Sequence, residues 1–220
     1  MIDFHSHTLL SDGILLPAEH VRRAYVAGYK VLGVTDHVDF SNINFVYDSM
    51  LKFMETIKEC GWDIKVIPGI EITHVPAKKI EKIVSMARDM KIPLIIVHGE
   101  TTVEPVEKGT NKAAIEACVD ILAHPGLILK EEVELAKRNN VNLEISARKG
   151  HSITNGHVAK LAAIIDASMV CDTDSHAPSD LFTETFRKAV LKGTGLENEN
   201  ILKIENNIKN LAEKILARIK

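Results

Sequence analysis

The chain has 220 residues, and its apolar fraction of 45% and charged fraction of 26% are those of an ordinary globular protein with a full hydrophobic core. Its net charge of -3, from 27 basic against 30 acidic residues, excludes the basic excess that is typical of proteins binding duplex nucleic acid. The composition predicts a single domain, residues 1–220, with no duplex nucleic-acid partner.

The cysteines and the hydropathy pattern bear on location. Cys60, Cys118 and Cys171 are far apart in the sequence, so they predict buried thiols in a reducing compartment and not a disulfide framework. No apolar run approaches the roughly 18 residues of a membrane span, and residues 1–5 lack the features of a signal peptide. We therefore expect a cytoplasmic protein with no membrane partner. The sequence does not determine its oligomeric state.

Short apolar, β-branched runs alternate with longer amphipathic stretches along the chain. The runs predict seven strands, at 2–5, 31–35, 64–71, 93–98, 119–124, 141–147 and 168–173. The stretches between them predict helices at 17–28, 48–60, 77–90, 111–117, 130–140, 156–166 and 178–192, and an apolar stripe predicts a last helix at about 198–219. This alternation implies a parallel sheet with right-handed crossovers.

Six of the seven predicted strands end in side chains that can bind a metal ion. These are His5, His7 and Asp12 after the first strand, His37 after the second, Glu71, His98 and His124 after the next three, and Asp174 and His176 after the last. In an open sheet the ends of edge strands lie too far apart to share a site, whereas a closed barrel gathers all the carboxyl ends around one mouth. The pattern therefore predicts an α/β barrel with a metal site at the carboxyl ends of its strands.

Each of these side chains also has an ordinary explanation. A lone histidine at a strand end is more often a hydrogen-bonding residue, Asp174 could cap a helix, and Glu71 could be a solvated carboxylate. We give that explanation to His20, His74 and His157, because none of them lies in a paired motif. Nine side chains at equivalent topological positions would require nine independent explanations, so we interpret them as ligands.

The chemistry of the nine side chains indicates the ions that they hold. Imidazole and carboxylate without thiolate favour Zn, Mn or Fe. Nine ligands exceed what one ion can take while leaving a position for water, so they predict two or three divalent ions. That arrangement is typical of metal-assisted phosphate hydrolysis, and the sequence thus predicts a phosphoesterase acting on a small phosphorylated substrate.

These motifs resemble those of the PHP family, named for its polymerase and histidinol-phosphatase members, over nearly the whole chain. The shared motifs are His5-x-His7, Ser11-Asp12-Gly13, Thr35-Asp36-His37, Gly69-Ile70-Glu71, His98, His124-Pro125 and Asp174-Ser175-His176. The resemblance implies a distorted seven-stranded (β/α)7 TIM-like barrel and a stand-alone, histidinol-phosphatase-like enzyme. It also implies three ions, held by His5, His7, Glu71 and Asp174, by Glu71, His98 and His124, and by Asp12, His37 and His176.

The resemblance and the ligands together suggest a mechanism, in which a metal-bound hydroxide attacks the phosphorus of a phosphomonoester, with histidinol phosphate as a model substrate. Strand alternation turns Arg148 toward the mouth, where its guanidinium would clamp the phosphate beside Lys149. His151 is a candidate for the acid that protonates the leaving group. Asp36 and Asp172 are candidates for orienting the ligand imidazoles, and each could equally be a solvated or capping carboxylate.

Three other functions stay open. A nucleotide or oligonucleotide phosphodiesterase or exonuclease needs stacking platforms, but aromatic residues make up only 5% of the chain and the single Trp62 precedes the third strand, away from the site. A non-catalytic, metal-binding regulatory module would be expected to have lost ligands. An amidohydrolase barrel shares the His-x-His motif but usually has eight strands and lacks the pair Asp12 and His37.

Overall fold

The computed structural model describes residues 1–219 and consists of a parallel sheet surrounded by helices. The strands are β1 (Ile2–Asp3), β2 (Val31–Val34), β3 (His37–Val38), β4 (Lys65–Ile72), β5 (Leu94–His98), β6 (Ile121–Ala123), β7 (Asn142–Ser146) and β8 (Met169–Asp172). The α-helices are α1 (Pro17–Val26), α2 (Ile43–Lys58), α3 (Ile80–Asp89), α4 (Thr110–Glu116), α5 (Lys130–Asn139), α6 (Asn155–Ile165), α7 (Glu184–Gly193) and α8 (Asn198–Leu216). Within the described range, no helix is both long and apolar enough to cross a membrane.

The strands form a nearly closed barrel. Along the sheet the order is β1-β2-β4-β5-β6-β7-β8, and every pair is parallel. The two ends of the sheet approach one another where Ser6 bridges Ser175 and the backbone N–H of His7 donates to Ser175 O at 2.8 Å. Seven parallel strands in this arrangement confirm the predicted α/β fold, a distorted (β/α)7 TIM-like barrel.

The second strand of the barrel is interrupted, so it is divided into β2 and β3. β2 pairs with the first half of β4 and β3 pairs with its second half, so β2 and β3 are two parts of one barrel strand, broken at Thr35 and Asp36. The break turns the carboxylate of Asp36 toward the loop that follows β1, where it accepts hydrogen bonds from Thr8 and Ser11. Through these hydrogen bonds of Asp36, the interruption of the strand helps to hold the loop that carries Asp12.

Several predicted boundaries differ from the structure. The helix predicted at 48–60 begins at Ile43, because Ile43 and Val46 already belong to its buried stripe. The helix predicted at 178–192 is a short 3-10 turn, Pro178–Asp180, followed by α7, whose start is capped by Thr183. The prediction of three buried thiols is wrong for Cys60 and Cys118, which are exposed just beyond the ends of α2 and α4.

The interior of the barrel is apolar at the bottom and polar toward the carboxyl ends. β5, β6 and β7 are buried along their whole length, since helices cover them outside and side chains fill them inside. β1 lies against β2 through Gly33, where a Cβ would stand only 2.3 Å from Phe4 O. This close approach brings the His5 and His7 segment next to the strands that carry the other predicted ligands.

The last helix, α8, covers the amino-terminal end of β7 and β8, opposite the predicted site. Asn207 Nδ2 donates to Asn142 Oδ1 and to Met169 O, both at 2.8 Å. Its apolar stripe is buried and consists of Ile201, Ile204, Ile208, Leu211 and Ile215. These contacts support our proposal that the chain, including α8, forms one domain.

Removing apolar side-chain volume from α8 is expected to destabilise the whole fold. Ile208 is 1% exposed, so Ile208→Ala should lower the free energy of unfolding by about 2–5 kcal/mol, whereas exposed Leu202→Ala should change it by less than about 0.5 kcal/mol. Urea unfolding followed by far-UV circular dichroism and by Trp62 fluorescence measures both. Two transitions at different urea concentrations would contradict a single domain.

Candidate metal centre

The nine predicted ligands meet at the carboxyl ends of the barrel strands. Donor atoms of eight of them, all except Asp174, form overlapping groups with those of His151 and Glu144, and within each group all atoms lie within 4.8 Å of one another. The groups are His5, His7 and Glu71; His7, Asp12, His37 and His176; His98, His124 and His151; and His5, His124 and Glu144. The side chains at the mouth thus form clusters that are able to hold metal ions.

Glu71, at the end of β4, lies at the centre of these groups and is completely buried. Its Oε1 lies 3.3 Å from His5 Nε2 and 3.6 Å from His124 Nε2. Its Oε2 lies 3.6 Å from His7 Nε2. His37 Nδ1 lies 2.7 Å from Oε2 and 2.6 Å from Thr73 Oγ1. Each carboxylate oxygen thus faces a different set of imidazoles, as a bridging ligand would.

Asp174 completes the inner part of the cluster from just beyond β8. Its Oδ1 lies 3.2 Å from His7 Nε2 and 3.7 Å from His5 Nε2, and its Oδ2 lies 3.6 Å from His124 Nε2. Asp174 and His124 both have positive φ, 51° and 26°, which costs a non-glycine residue roughly 1–3 kcal/mol. Backbone strain at two predicted ligands indicates that the surrounding barrel imposes this arrangement of side chains.

Asp12, His37 and His176 form the outer part of the cluster. Asp12 Oδ1 lies 3.0 Å from His176 Nε2, 3.5 Å from His37 Nε2 and 3.9 Å from His7 Nδ1. The Asp12 side chain is 54% exposed, so this group stands at the solvent side of the mouth. An ion held here would be reached more easily by water and by substrate than one held beside Glu71.

Neither Asp36 nor Asp172, the two candidates for orienting imidazoles, hydrogen-bonds an imidazole in the described structure. Asp36 binds Thr8 and Ser11, and Asp172 Oδ1 accepts from the backbone N–H of Phe4 at 2.7 Å. Glu144 of β7 takes the role instead, because its Oε1 accepts from His5 Nδ1 at 2.7 Å and leaves Nε2 facing the cluster. The sequence hides this role, since Glu144 and His5 are 139 positions apart.

Glu144→Gln is expected to weaken the ion next to His5. The amide keeps the size of the side chain but no longer offers a carboxylate to His5 Nδ1, and loss of such a partner lowers metal affinity roughly 10- to 100-fold. Competition with a chromophoric chelator measures the change, with exposed Glu131→Gln as the control. Equal affinity in Glu144→Gln and the control would contradict this role.

The donor set passes a direct test of fit to metal ions. Five of its buried side-chain atoms have no hydrogen-bond partner among the described residues: His5 Nε2, His7 Nδ1 and Nε2, Glu71 Oε1 and His124 Nδ1. A sixth, Glu71 Oε2, has only the 2.7 Å contact with His37 Nδ1. An unsatisfied buried polar atom costs roughly 1–3 kcal/mol, and such atoms are rare in native structures. Their concentration at one point fits residues that bind ions.

Without an ion, the pKa shifts within the cluster go in both directions. Burial holds the pKa of His7 and of His124 well below its usual range, and burial lowers that of His151 to about 4. Burial opposes ionisation of Glu71 as well, but His5 and His37 hold the pKa of that carboxyl well below its usual range. Burial raises the pKa of Asp174 to about 7, and Glu71 raises the pKa of His37 to about 10 against the effect of burial. Neutral imidazole and ionised carboxylate are the forms that coordinate metal ions, so an ion binding here would displace protons from some of these side chains.

Arg148 lies at the edge of the cluster, as predicted. Its Nη1 donates to Asp174 O at 3.0 Å and contacts His176 Nδ1, and its Nε lies 3.6 Å from Asp174 Oδ2. Lys149 is exposed, and in the described part of the chain it forms no ion pair with the cluster. The structure therefore brings the guanidinium to the site but gives no contact for the lysine.

Two side chains at the mouth were not predicted to belong there. Glu104, in the loop after β5, lies 3.1 Å from His98 Nε2 through Oε2 and 3.4 Å from His151 Nε2 through Oε1. His74, interpreted from the sequence as an ordinary histidine, lies at the mouth with its Nε2 3.6 Å from the same carboxylate. His157 bonds Ile128 O at 2.8 Å, as an ordinary histidine does. No motif marks the first two residues, because loop conformation places them.

A parallel α/β barrel with imidazoles and carboxylates converging at the carboxyl ends of its strands defines the class of metal-dependent barrel hydrolases. Residues 3–141, more than half of the chain, match the PHP domain. The chain belongs to the PHP family, which confirms the resemblance seen in its motifs.

Relatives in sequence agree with this assignment. An uncharacterized protein of Methanocaldococcus jannaschii is 45% identical over 218 residues and 99% of both chains. A probable phosphatase of Clostridium botulinum is 28% identical over 229 positions, covering 94% of this chain and 91% of its own. The 5'-3' exoribonuclease Rnm of Escherichia coli is 29% identical over 160 residues, or 72% of this chain and 46% of its own. The prediction of a phosphoric ester hydrolase is confirmed at the level of the family.

Solved structures share the fold. A chain of an archaeal ribonuclease P complex with mature tRNA has a TM-score of 0.73 at 19% identity, over 98% of this chain and 91% of its own. The histidinol phosphate phosphatase of Lactococcus lactis, solved with zinc, L-histidinol and phosphate, has a TM-score of 0.60 at 16% identity, over 89% and 94%. At these identities the likeness establishes the barrel fold only.

Proposed function

We propose that this protein hydrolyses a small phosphomonoester with two or three divalent ions, Zn, Mn or Fe, at the mouth of the barrel. The observation that supports this most strongly is the group of buried donor atoms around Glu71 that lack hydrogen-bond partners in the described structure. We infer three ion positions: one at His5, His7, Glu71 and Asp174, a second at Glu71, His98 and His124, and a third at Asp12, His37 and His176.

We assign different roles to Glu71, Glu144 and Arg148. When bound, divalent ions polarise the phosphoryl oxygens and lower the pKa of water, so that a nucleophile is present at neutral pH. Glu71 would keep the first two positions together through its two oxygens. Glu144 holds His5 in the tautomer that presents Nε2. Arg148 would bind a phosphate oxygen pair through its planar guanidinium.

The size of the cavity at the mouth of the barrel supports a site for a phosphoryl group. It has a volume of about 220 Å³, below the roughly 300–1,000 Å³ that encloses a drug-sized ligand. Its lining residues are Asp12, His37, Thr73, His74, His98, Glu104, Arg148, His151, Asp174 and His176, with no Phe, Tyr or Trp among these described residues. We infer that the phosphoryl group enters while the leaving group stays at the mouth, as a histidinol-phosphate-like compound would allow.

The clamp assigned to Arg148 has a direct kinetic test. Arg148→Lys keeps the charge but loses the bidentate geometry, and Arg148→Ala loses both, so KM for a phosphomonoester should rise roughly 10-fold and 100-fold respectively. Metal content, measured by mass spectrometry, should stay at the wild-type level. If KM is the same in all three proteins, the guanidinium does not bind the phosphate.

The activity itself is tested by phosphate release from p-nitrophenyl phosphate, histidinol phosphate, nucleoside monophosphates and a short 5'-phosphorylated oligonucleotide. The protein is stripped of metal and reloaded with Zn or with Mn, with His124→Ala as the control. Metal-dependent release that the control lacks supports a phosphatase. Full metal content without turnover of any substrate would contradict it and favour a non-catalytic, metal-binding regulatory module.

A nucleotide or oligonucleotide phosphoesterase is the second candidate. The observation in its favour is the similarity to a 5'-3' exoribonuclease over 72% of this chain. Binding of single strands usually relies on aromatic stacking platforms beside a basic groove, which the cavity lining does not offer within the described residues. Faster release of nucleotides from the oligonucleotide than of phosphate from the monoesters would select this candidate.

A further inference from the structure

Two loops from different strands meet above His98 and His124. One is the loop after β5, residues 99–109, and the other is the turn after β7, which contains His151. Thr101 Oγ1 and His151 Nδ1 lie 2.7 Å apart in a buried hydrogen bond. This contact joins the loops and fixes the orientation of the His151 ring.

The ring of His151 is held so that its free nitrogen faces the cluster. Because Thr101 occupies Nδ1, Nε2 points inward, 3.7 Å from Asp174 Oδ2. The ring stacks on that of His124 with centroids 4.0 Å apart, and the residue is 3% exposed. Its donor atom lies within 4.8 Å of those of His98 and His124.

The ring of His98 is also oriented by a hydrogen bond at Nδ1. Its Nδ1 donates to Gly99 O at 3.1 Å, which leaves Nε2 facing the cluster. A Cβ on Gly99 would stand 2.3 Å from Ala123 O, so only glycine lets the end of β5 lie this close to the end of β6. The His98 and His124 ring centroids are 4.4 Å apart as a result.

Glu104 lies between His98 and His151. Its two oxygens are 3.1 Å from His98 Nε2 and 3.4 Å from His151 Nε2. Two donors that share one ion at bond lengths of about 2.0–2.2 Å lie roughly 3.0–3.5 Å apart. The carboxylate therefore lies within reach of both imidazoles, through a different oxygen for each, at separations that a common ion would allow.

We propose that the ion at the second position is held by His151 in addition to Glu71, His98 and His124, with Glu104 as a further donor carried by the loop after β5. This inference rests on the metal centre of the proposed function and extends it by two ligands. A nitrogen that binds an ion cannot also deliver a proton, so His151 is a ligand and not the acid for the leaving group. Three imidazoles among the donors favour Zn over Mn at this position.

The test measures Zn binding and not turnover. The full-length wild type, His151→Ala, Glu104→Gln and the controls His157→Gln and Glu107→Gln are dialysed against buffered free Zn²⁺, and bound Zn is measured by mass spectrometry. His157 and Glu107 bond main-chain atoms outside the cluster, and each matches one test residue in type. Circular dichroism establishes that each variant is folded.

We expect one ion of His151→Ala to bind at least about 10-fold more weakly than in the wild type, and the same ion to weaken about 10-fold in Glu104→Gln. Both controls should bind like the wild type. Wild-type stoichiometry and affinity in both test variants would overturn the proposal, even if activity fell. Normal Zn binding by a wild type without phosphatase activity would refute the proposed function but leave these ligands in place.

Discussion

Glu71→Gln is expected to lower kcat for a phosphomonoester by roughly 10³-fold or more, with loss of bound metal, while the fold remains. Glutamine has the same shape as glutamate but lacks its charge, so it cannot bridge two divalent ions. Metal ions supply several kcal/mol of charge stabilisation in the transition state, and about 4 kcal/mol corresponds to roughly 10³ in rate.

The position of Glu71 explains the size of this effect. Glu71 is fully buried, and its two oxygens lie within 3.6 Å of His5, His7 and His124. Loss of its charge should therefore affect two ion positions at once, whereas a change at Asp12 should affect only the outer one.

Asp120→Asn is the matched control. Asp120 is also a buried carboxylate on a barrel strand end, but it lies at the opposite end of the barrel, where it binds Arg88 at 3.0 Å and Arg218 at 2.8 Å. Its replacement should lower stability without changing metal content or kcat. Comparable kcat in Glu71→Gln and Asp120→Asn, at full metal loading, would show that Glu71 does not bridge catalytic ions.

Removal of metal is expected to lower the melting temperature markedly. An ion present at 1,000 times its dissociation constant stabilises the native state by about 4.1 kcal/mol. In a chain of this size each kcal/mol corresponds to roughly 2–4 °C, so each bound ion should add roughly 8–16 °C. The gain arises because the ion satisfies buried atoms of His5, His7, Glu71 and His124 that lack partners in the described structure.

Calorimetry of stripped and reloaded protein measures this shift. Zn and Mn are added separately over a range of free concentrations, because the stabilisation by a specific ion increases with its concentration. Glu71→Gln serves as the control and should gain much less from either ion. Identical melting temperatures for stripped and reloaded wild type would mean that the cluster does not bind these ions in the native state.

The sequence by itself predicted the barrel and the residues that gather at its mouth. Parallel strands in a closed barrel have their carboxyl ends at one rim, and alternate residues on a strand share a face. Those two rules were sufficient to predict that His5, His7, Glu71 and Asp174 lie close together and that Arg148 faces them. They act over short stretches of chain, so a single sequence reveals them.

Only the tertiary structure decided which residues support those ligands. In the structure the second barrel strand is divided into β2 and β3, and Glu144 orients His5. Glu104 lies between His98 and His151. Thr101 and His151, whose hydrogen bond joins the two loops, are 50 positions apart. Such contacts depend on how loops from different strands pack against one another, and no local periodicity or propensity in the sequence specifies that packing.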